Sequence, residues 1–233
     1  MDPTIHRVTM LDLKVESSVW PFASTRRGEI DAHFADRQRE RPNIWNGRVL
    51  LGHDPVFEGP RFSARYFETD FASFLSWRDW GFPDSAVFNG FGMGALRTSD
   101  GAFILGEMSA QTANAGRIYF PAGTPDPNDI AGGAVDIAGS ITREIQEETG
   151  LTVVDYSASP HWDCIVVGPS IAMIRLLDLA MTAEAARARI EANLARQAHP
   201  ELSAIHLVRS LRDVTPQMPR FVTAFIEREL GTS

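Results

Sequence analysis

The chain has 233 residues, 44% of them hydrophobic and 22% charged, which suits one folded core with an extension. Its formal net charge of −8 gives no long-range attraction to a nucleic-acid backbone. Cys164 is the only cysteine, which excludes an intramolecular disulfide and a multi-cysteine zinc site. No apolar run approaches the ~20 residues that span a bilayer. MDPTIHRVTM has no basic stretch leading into an apolar one, so neither a signal peptide nor a membrane partner is expected, and the expected location is cytoplasmic.

In chain order, residues 8–15 read as a strand and 24–40 as an exposed helix stopped by Arg41-Pro42. RVLLGH (48–53) reads as a strand. RFSARYF (61–67) alternates, with Phe62, Ala64 and Tyr66 on one face. Asp70 is placed to cap a helix over 71–80 that buries Phe71, Phe74 and Leu75, and Gly81-Phe82-Pro83-Asp84 breaks it. GMGALRT (92–98) and AFILGEMS (102–109) read as a hairpin about Ser99-Asp100-Gly101, with RIYFP (117–121) as a third strand. The clustered glycines of GFGMG (90–94) precede no helix, so they read as a turn or bulge rather than a dinucleotide-binding loop.

A Gly/Pro/Asp-rich loop then runs from Ala122 to Gly133, and a helix is expected from Ile137 to Thr149, ended by Gly150. TVVDY (152–156), HWDCIVVG (161–168) and IAMIRLLDLA (171–180) read as strands, with a turn at Pro169. A helix starting at Thr182 and running to Ala198, strand LSAIHLV (202–208), and a helix from Thr215-Pro216 to Leu230 complete the chain. Strands with hairpin-like neighbours and a central helix among them give an α/β or α+β sandwich, a mixed sheet between helices. The texture changes near residue 88. This divides the chain into an N-terminal extension or subdomain (1–87) packing on a main domain (88–233).

The helix over 137–149 carries an unusual load. Glu144, Glu147 and Glu148 fall in its last turns, one turn or less apart. Like charges so spaced repel by roughly 0.2–0.5 kcal/mol per pair. The negative end of the helix dipole disfavours each by roughly 0.3–1 kcal/mol more. Ile137, Ile141 and Ile145 form the apolar stripe, and Glu148 projects within about 20° of Ile141, toward the core. On geometry alone two readings stand: a solvated acidic face with Arg143 offsetting Glu147, or a carboxylate set neutralised by a hard divalent cation.

Arg143 through Leu151, REIQEETGL, matches the second half of the Nudix box, G-x5-E-x7-R-E-U-x-E-E-x-G-U with U a bulky aliphatic, at every fixed position. The chain thus resembles the Nudix hydrolases, and the preceding strand and turn RIYFPAGTP resembles that family's approach to the box. The first half departs from the pattern. Strict register asks for Gly at 129 and Glu at 135, where the chain has Asp129 and Val135. An insertion between Pro125 and Gly133, with Gly123 as the first box glycine, accounts for this.

The resemblance implies a Nudix-type mixed sheet between helices, with the box domain at 88–233. It implies Mg²⁺ or Mn²⁺ as cofactor, held by Glu144, Glu148 and Glu147, with Asp136 either joining them or capping the helix. Arg143 would orient a box glutamate, and Glu147, or Glu201 from a loop outside the box, would take a proton from water. The implied reaction is hydrolysis of a diphosphate linkage in a nucleoside diphosphate derivative, a small molecule rather than a nucleic acid. NIWNGRVLL and FASFLSWRDWGFPD weakly resemble the N-terminal part of Nudix proteins that act on UDP-sugars, which favours a sugar nucleotide or an ADP-ribose-like substrate. Extensions in this family also shape dimers, so a homodimer is compatible. The alternative implied by Val135 is a Nudix-fold protein that binds or regulates with little turnover.

The remaining features carry less. The six histidines are scattered and suggest no zinc site. Arg65, Arg97 and Arg117 on strands serve either phosphate binding or ordinary ion pairs. Trp45, Trp77, Trp80 and Trp162 serve either stacking on a base or core packing.

Overall fold

Residues 2–42 and 44–231 are described in the computed structural model; Asn43, the first residue of NIWNGRVLL, lies outside them. The N-terminal segment forms β1 (Thr4–Val8), β2 (Met10–Val15), α1 (Pro21–Thr25), α2 (Arg27–Glu40), β3 (Arg48–Glu58), β4 (Arg61–Asp70) and α3 (Phe71–Asp79). β5 (Val87–Arg97) and β6 (Phe103–Met108) follow, then four two-residue strands: β7 (Ile118–Tyr119), β8 (Ala122–Gly123), β9 (Ile130–Ala131) and β10 (Ala134–Val135). α4 (Ile137–Thr149), β11 (Tyr156–Val167), β12 (Ser170–Leu179), α5 (Ala183–Leu194), β13 (Leu202–Val208) and α6 (Arg220–Gly231) complete the α+β architecture.

β5 is the hub. Along one side it lies parallel to β12, from Ser170 opposite Asn89 to Asp178 opposite Arg97. A parallel neighbour needs a long crossover, and residues 98–169, with α4 among them, supply it. β12 continues antiparallel to β11, whose far edge takes β1, with His6 opposite Cys164. On the other side β5 meets β3 at Phe88, β8 at Gly92 and Met93, and β6 at Leu96 and Arg97. β3 leads antiparallel to β4 and then parallel to β2, while β6 is flanked by β7 and β13. The N-terminal strands are thereby stitched into the sheet that carries α4.

Alternation in β4 is as the sequence reads it: Phe62, Ala64 and Tyr66 are buried, and Arg61 and Arg65 are exposed. Asp70 caps α3 by accepting from the Ser73 amide at 2.9 Å, and Phe74, Leu75 and Trp77 are buried beneath that helix. They join Trp20, Ile30, Phe34 and Phe67 in an N-terminal apolar cluster, separate from the larger core around β5, β12 and α4.

Four expectations are corrected. Glycines 90, 92 and 94 make no turn; they lie inside β5, where Gly90 leaves room for Tyr66 and Phe88, and Gly92 and Gly94 let α4 approach. A Cβ on Gly92 would fall 2.7 Å from Ile137 and Ile141, and one on Gly94 would fall 2.6 Å from Ile145. TVVDY is a turn up to Tyr156, with Val153 and Val154 exposed; Asp155 accepts from the Thr152 amide at 2.8 Å and pairs with Arg189, which overrides β-branched propensity. The C-terminal helix begins at Arg220, not Pro216, because Pro219 disfavours helical geometry at Met218. The 24–40 helix breaks at Arg26 into α1 and α2.

Candidate active site

α4 is built as its sequence dictates. Asp136 sits at the N-cap, its carboxylate accepting from the Gly139 amide at 2.9 Å, and Gly150 ends the helix in the left-handed region at φ 70°. Ile137, Ile141 and Ile145 bury their stripe against β5. This rotation carries Glu148 inward, to 3% exposure. Glu144 is mostly buried, while the Glu147 side chain is 61% exposed.

The carboxylates interact strongly. Burial pushes Glu144 up to about 7; Arg143 opposes the shift, and Glu147, Glu201 and Asp129 add to it. Burial likewise pushes Glu148 well above the carboxylate range, reinforced by Glu144, Glu201 and Glu147, with one hydrogen bond from the Ala122 backbone opposing. Glu201, on the loop before β13, is also raised, by desolvation and then by Glu147, although much of its surface is open. Residues 53 positions apart in sequence, Glu148 and Glu201, are thus brought within electrostatic reach.

Asp136 is not brought there: it is exposed, occupied as a cap, and about 18 Å up the helix axis from Glu148 at 1.5 Å per residue.

Arg143 bridges the helix to the inserted loop. Its guanidinium lies 2.8 Å from Glu144, 3.5 Å from Glu147 and 3.1 Å from Asp129. Asp129 is 6% exposed and also accepts from the Asp126 amide at 3.0 Å. The residue that replaces the box glycine therefore holds the loop onto α4. Val135, where the pattern asks for Glu, is buried apolar core.

Two further residues border the cluster. A Cβ on Gly123 would fall 2.3 Å from Glu144 Oε1, so glycine lets β8 lie against that carboxylate where it stands. Tyr119 is buried, its phenol raised by burial and by Glu148, Glu201 and Glu144, while Asn114 donates to its oxygen at 3.2 Å. Gly123 stands where the sequence puts the start of the box, whereas Tyr119 and the Asp129 pairing have no place in that motif. Tyr119 gives no signal beyond its position in RIYFP; Asp129 was visible only as a departure from the box pattern.

Tyr119, Ala122 and Gly123 also line a cavity of about 530 Å³. Oxygen-rich carboxylates with no second cation among them suit a hard divalent ion. Among the described residues, however, no three His, Cys, Asp or Glu side chains are already drawn together as a cage.

The sequence matches no family model and no curated protein. Solved structures similar to it include the Nudix hydrolase RenU of M. smegmatis, at 14% identity over 61% of this chain and 83% of that one, TM-score 0.39. The MutT protein of Methanosarcina mazei Go1 gives 18% identity over 61% and 94%, TM-score 0.34. A bifunctional NMN adenylyltransferase/ADP ribose pyrophosphatase of Francisella tularensis, complexed with AMP and a Mn ion, gives 13% identity over 68% and 46%, TM-score 0.42. Among the described residues no helix is long and apolar enough to cross a membrane.

Proposed function

We propose that this chain is a divalent-metal-dependent hydrolase of a diphosphate linkage in a nucleoside diphosphate derivative, of the sugar-nucleotide or ADP-ribose class. The supporting observation is the group of mutually repelling carboxylates, Glu144, Glu147, Glu148 and Glu201, bordering a cavity through side-chain-free Gly123. The REIQEETGL string gives the same assignment from sequence.

Glu144 and Glu148, with Glu147, would hold Mg²⁺ or Mn²⁺, which when bound draws charge from phosphate oxygens and acidifies water. Arg143 fixes Glu144 from the helix side and, through Asp129, keeps the loop on α4. Glu147 is the most open of the helix carboxylates and Glu201 comes from a separate loop, so these two are the candidates to accept the water's proton. The acidic balance of the chain fits a small nucleotide rather than a nucleic acid, and a cytoplasmic enzyme, alone or as a homodimer, fits the whole.

The test is a panel of nucleoside diphosphate derivatives incubated with Mg²⁺, with Mn²⁺ and with chelator. Product should form only with metal, and Glu148→Gln should cut turnover on the order of a hundredfold. Full activity in that variant would remove Glu148 from the site. A second reading, a nucleotide-binding or regulatory protein with little turnover, is favoured by Val135 lying in the core where the box has an acid. Ligand-induced thermal stabilisation without product would establish it.

A further inference from the structure

We propose that the cavity beside the acidic cluster selects nucleotides, with α3 of the N-terminal segment and the start of α6 forming an aromatic wall for the base, and Arg117 and Arg220 meeting the phosphates. This assignment rests on the diphosphate-hydrolase reading of the same site.

The cavity is of a size that takes a small-molecule ligand. Phe71 and Phe74 line it from α3, edge to face with ring centres 5.8 Å apart. Phe91 and Phe221 line it from β5 and α6, edge to face at 5.4 Å. Aromatic faces accept any planar base, because every base has a π-face to stack. The segment after α3 is held in place to complete the wall: Gly81 and Phe82 both take left-handed conformations, φ 76° and 61°, and the Phe82 amide donates to the Trp77 carbonyl at 2.8 Å. A non-glycine residue persists there only where its surroundings fix it, and the Phe82 ring packs edge to face on Trp77 at 4.8 Å while also lining the cavity.

The charge of the wall is the second observation. The chain has 30 acidic residues against 22 basic, yet the cavity is lined by three arginines, Arg78, Arg117 and Arg220, and by no Asp or Glu. Arg117 makes no side-chain hydrogen bond or ion pair among the described residues, and Arg220 pairs only with the fully open Asp2. Arg78 is paired with its neighbour Asp79, which leaves Arg117 and the loosely held Arg220 for a ligand. An aromatic wall with these two guanidinium groups, opening through Ala122 and Gly123 toward the carboxylates, suits a ligand with a planar base at one end and a diphosphate at the other.

The test is calorimetric titration of the full chain, with Mg²⁺, using adenosine and uridine methylenediphosphates and bare methylenediphosphonate, whose P–C–P bridge is not hydrolysed. At least one nucleotide should bind about tenfold or more tighter than the bare diphosphonate. Phe71→Leu and Phe221→Leu should each erase most of that advantage and leave the diphosphonate unchanged, while Arg117→Gln should weaken all three about tenfold. Phe71 is half-buried, and the exposed Arg117 side chain makes no hydrogen bond or ion pair among the described residues, so these variants keep the test open if Phe221→Leu does not fold. Equal affinity for nucleotide and bare diphosphonate in the parent chain, or Phe variants that weaken both alike, would overturn the assignment. The readout needs no turnover: the expected pattern in a chain that hydrolyses nothing upholds the pocket and refutes the hydrolase reading alone. Hydrolysis with KM unchanged in all three variants refutes the pocket alone.

Discussion

The metal-free protein should become less stable as pH rises from about 4.5 to 7, and Glu144→Gln should remove a large part of that loss. Burial lifts the Glu144 carboxyl from 4.5 in an open chain to about 7 in the fold. Between those values the unfolded chain releases a proton that the folded chain keeps. The folded state therefore binds more protons, and stability falls with pH across that window. The rise from 4.5 to about 7 is worth about 3 kcal/mol. Glu148 is raised in the same direction and adds to the slope. Glutamine stays neutral, so Glu144→Gln loses its share of the slope, partly offset at high pH because Arg143 loses a partner at 2.8 Å. Urea unfolding of parent and variant, with chelator, at pH 5 and pH 8 measures this. A parent chain equally stable or more stable at pH 8, or a variant with the parent's slope, would show that these carboxylates are not strained as described.

Gly92→Ala should destabilise the fold by roughly 1–3 kcal/mol, since the new methyl meets two isoleucines of α4 at 2.7 Å; urea midpoints measure it, and a neutral result would mean that α4 can shift outward. Asp70→Ala should cost roughly 1 kcal/mol by uncapping α3, again by urea unfolding, and should weaken nucleotide binding by loosening the helix that carries Phe71 and Phe74.

What the sequence made legible was whatever is decided within a few residues. α4 was readable end to end because Asp136, the isoleucine stripe and Gly150 are local signals, and the burial of Glu148 followed from its angle to Ile141. The β4 alternation and the Asp70 cap were readable for the same reason. What failed depended on distant partners. The spacing of Gly90, Gly92 and Gly94 signalled a turn, but Gly90 gives room to Tyr66 and Phe88, and Gly92 and Gly94 to a helix about 45 residues later. The valines of TVVDY favour a strand, but Asp155 is claimed by Arg189 of α5. Tyr119 and Asp129 belong to the site only through packing that no short motif encodes.

Those failures bear on function, because the glycines and the carboxylates are one arrangement. Carboxylates at the end of a helix would relax outward to water if the helix were free to rotate or rise. Gly92 and Gly94 let three isoleucines lock into β5, which fixes the rotation of α4 and with it the inward aim of Glu148. Gly123 then brings β8 against Glu144, and Asp129 ties Arg143 to the loop, closing the other side. The fold thus holds in place charges that destabilise it. If the strain is there for a cation, the divalent ion that supports hydrolysis should restore at pH 8 the stability lost above pH 5, and should do little at pH 5, where protons already fill that role. Equal stabilisation by metal at both pH values would separate the strained carboxylates from the metal and leave their burial to packing alone.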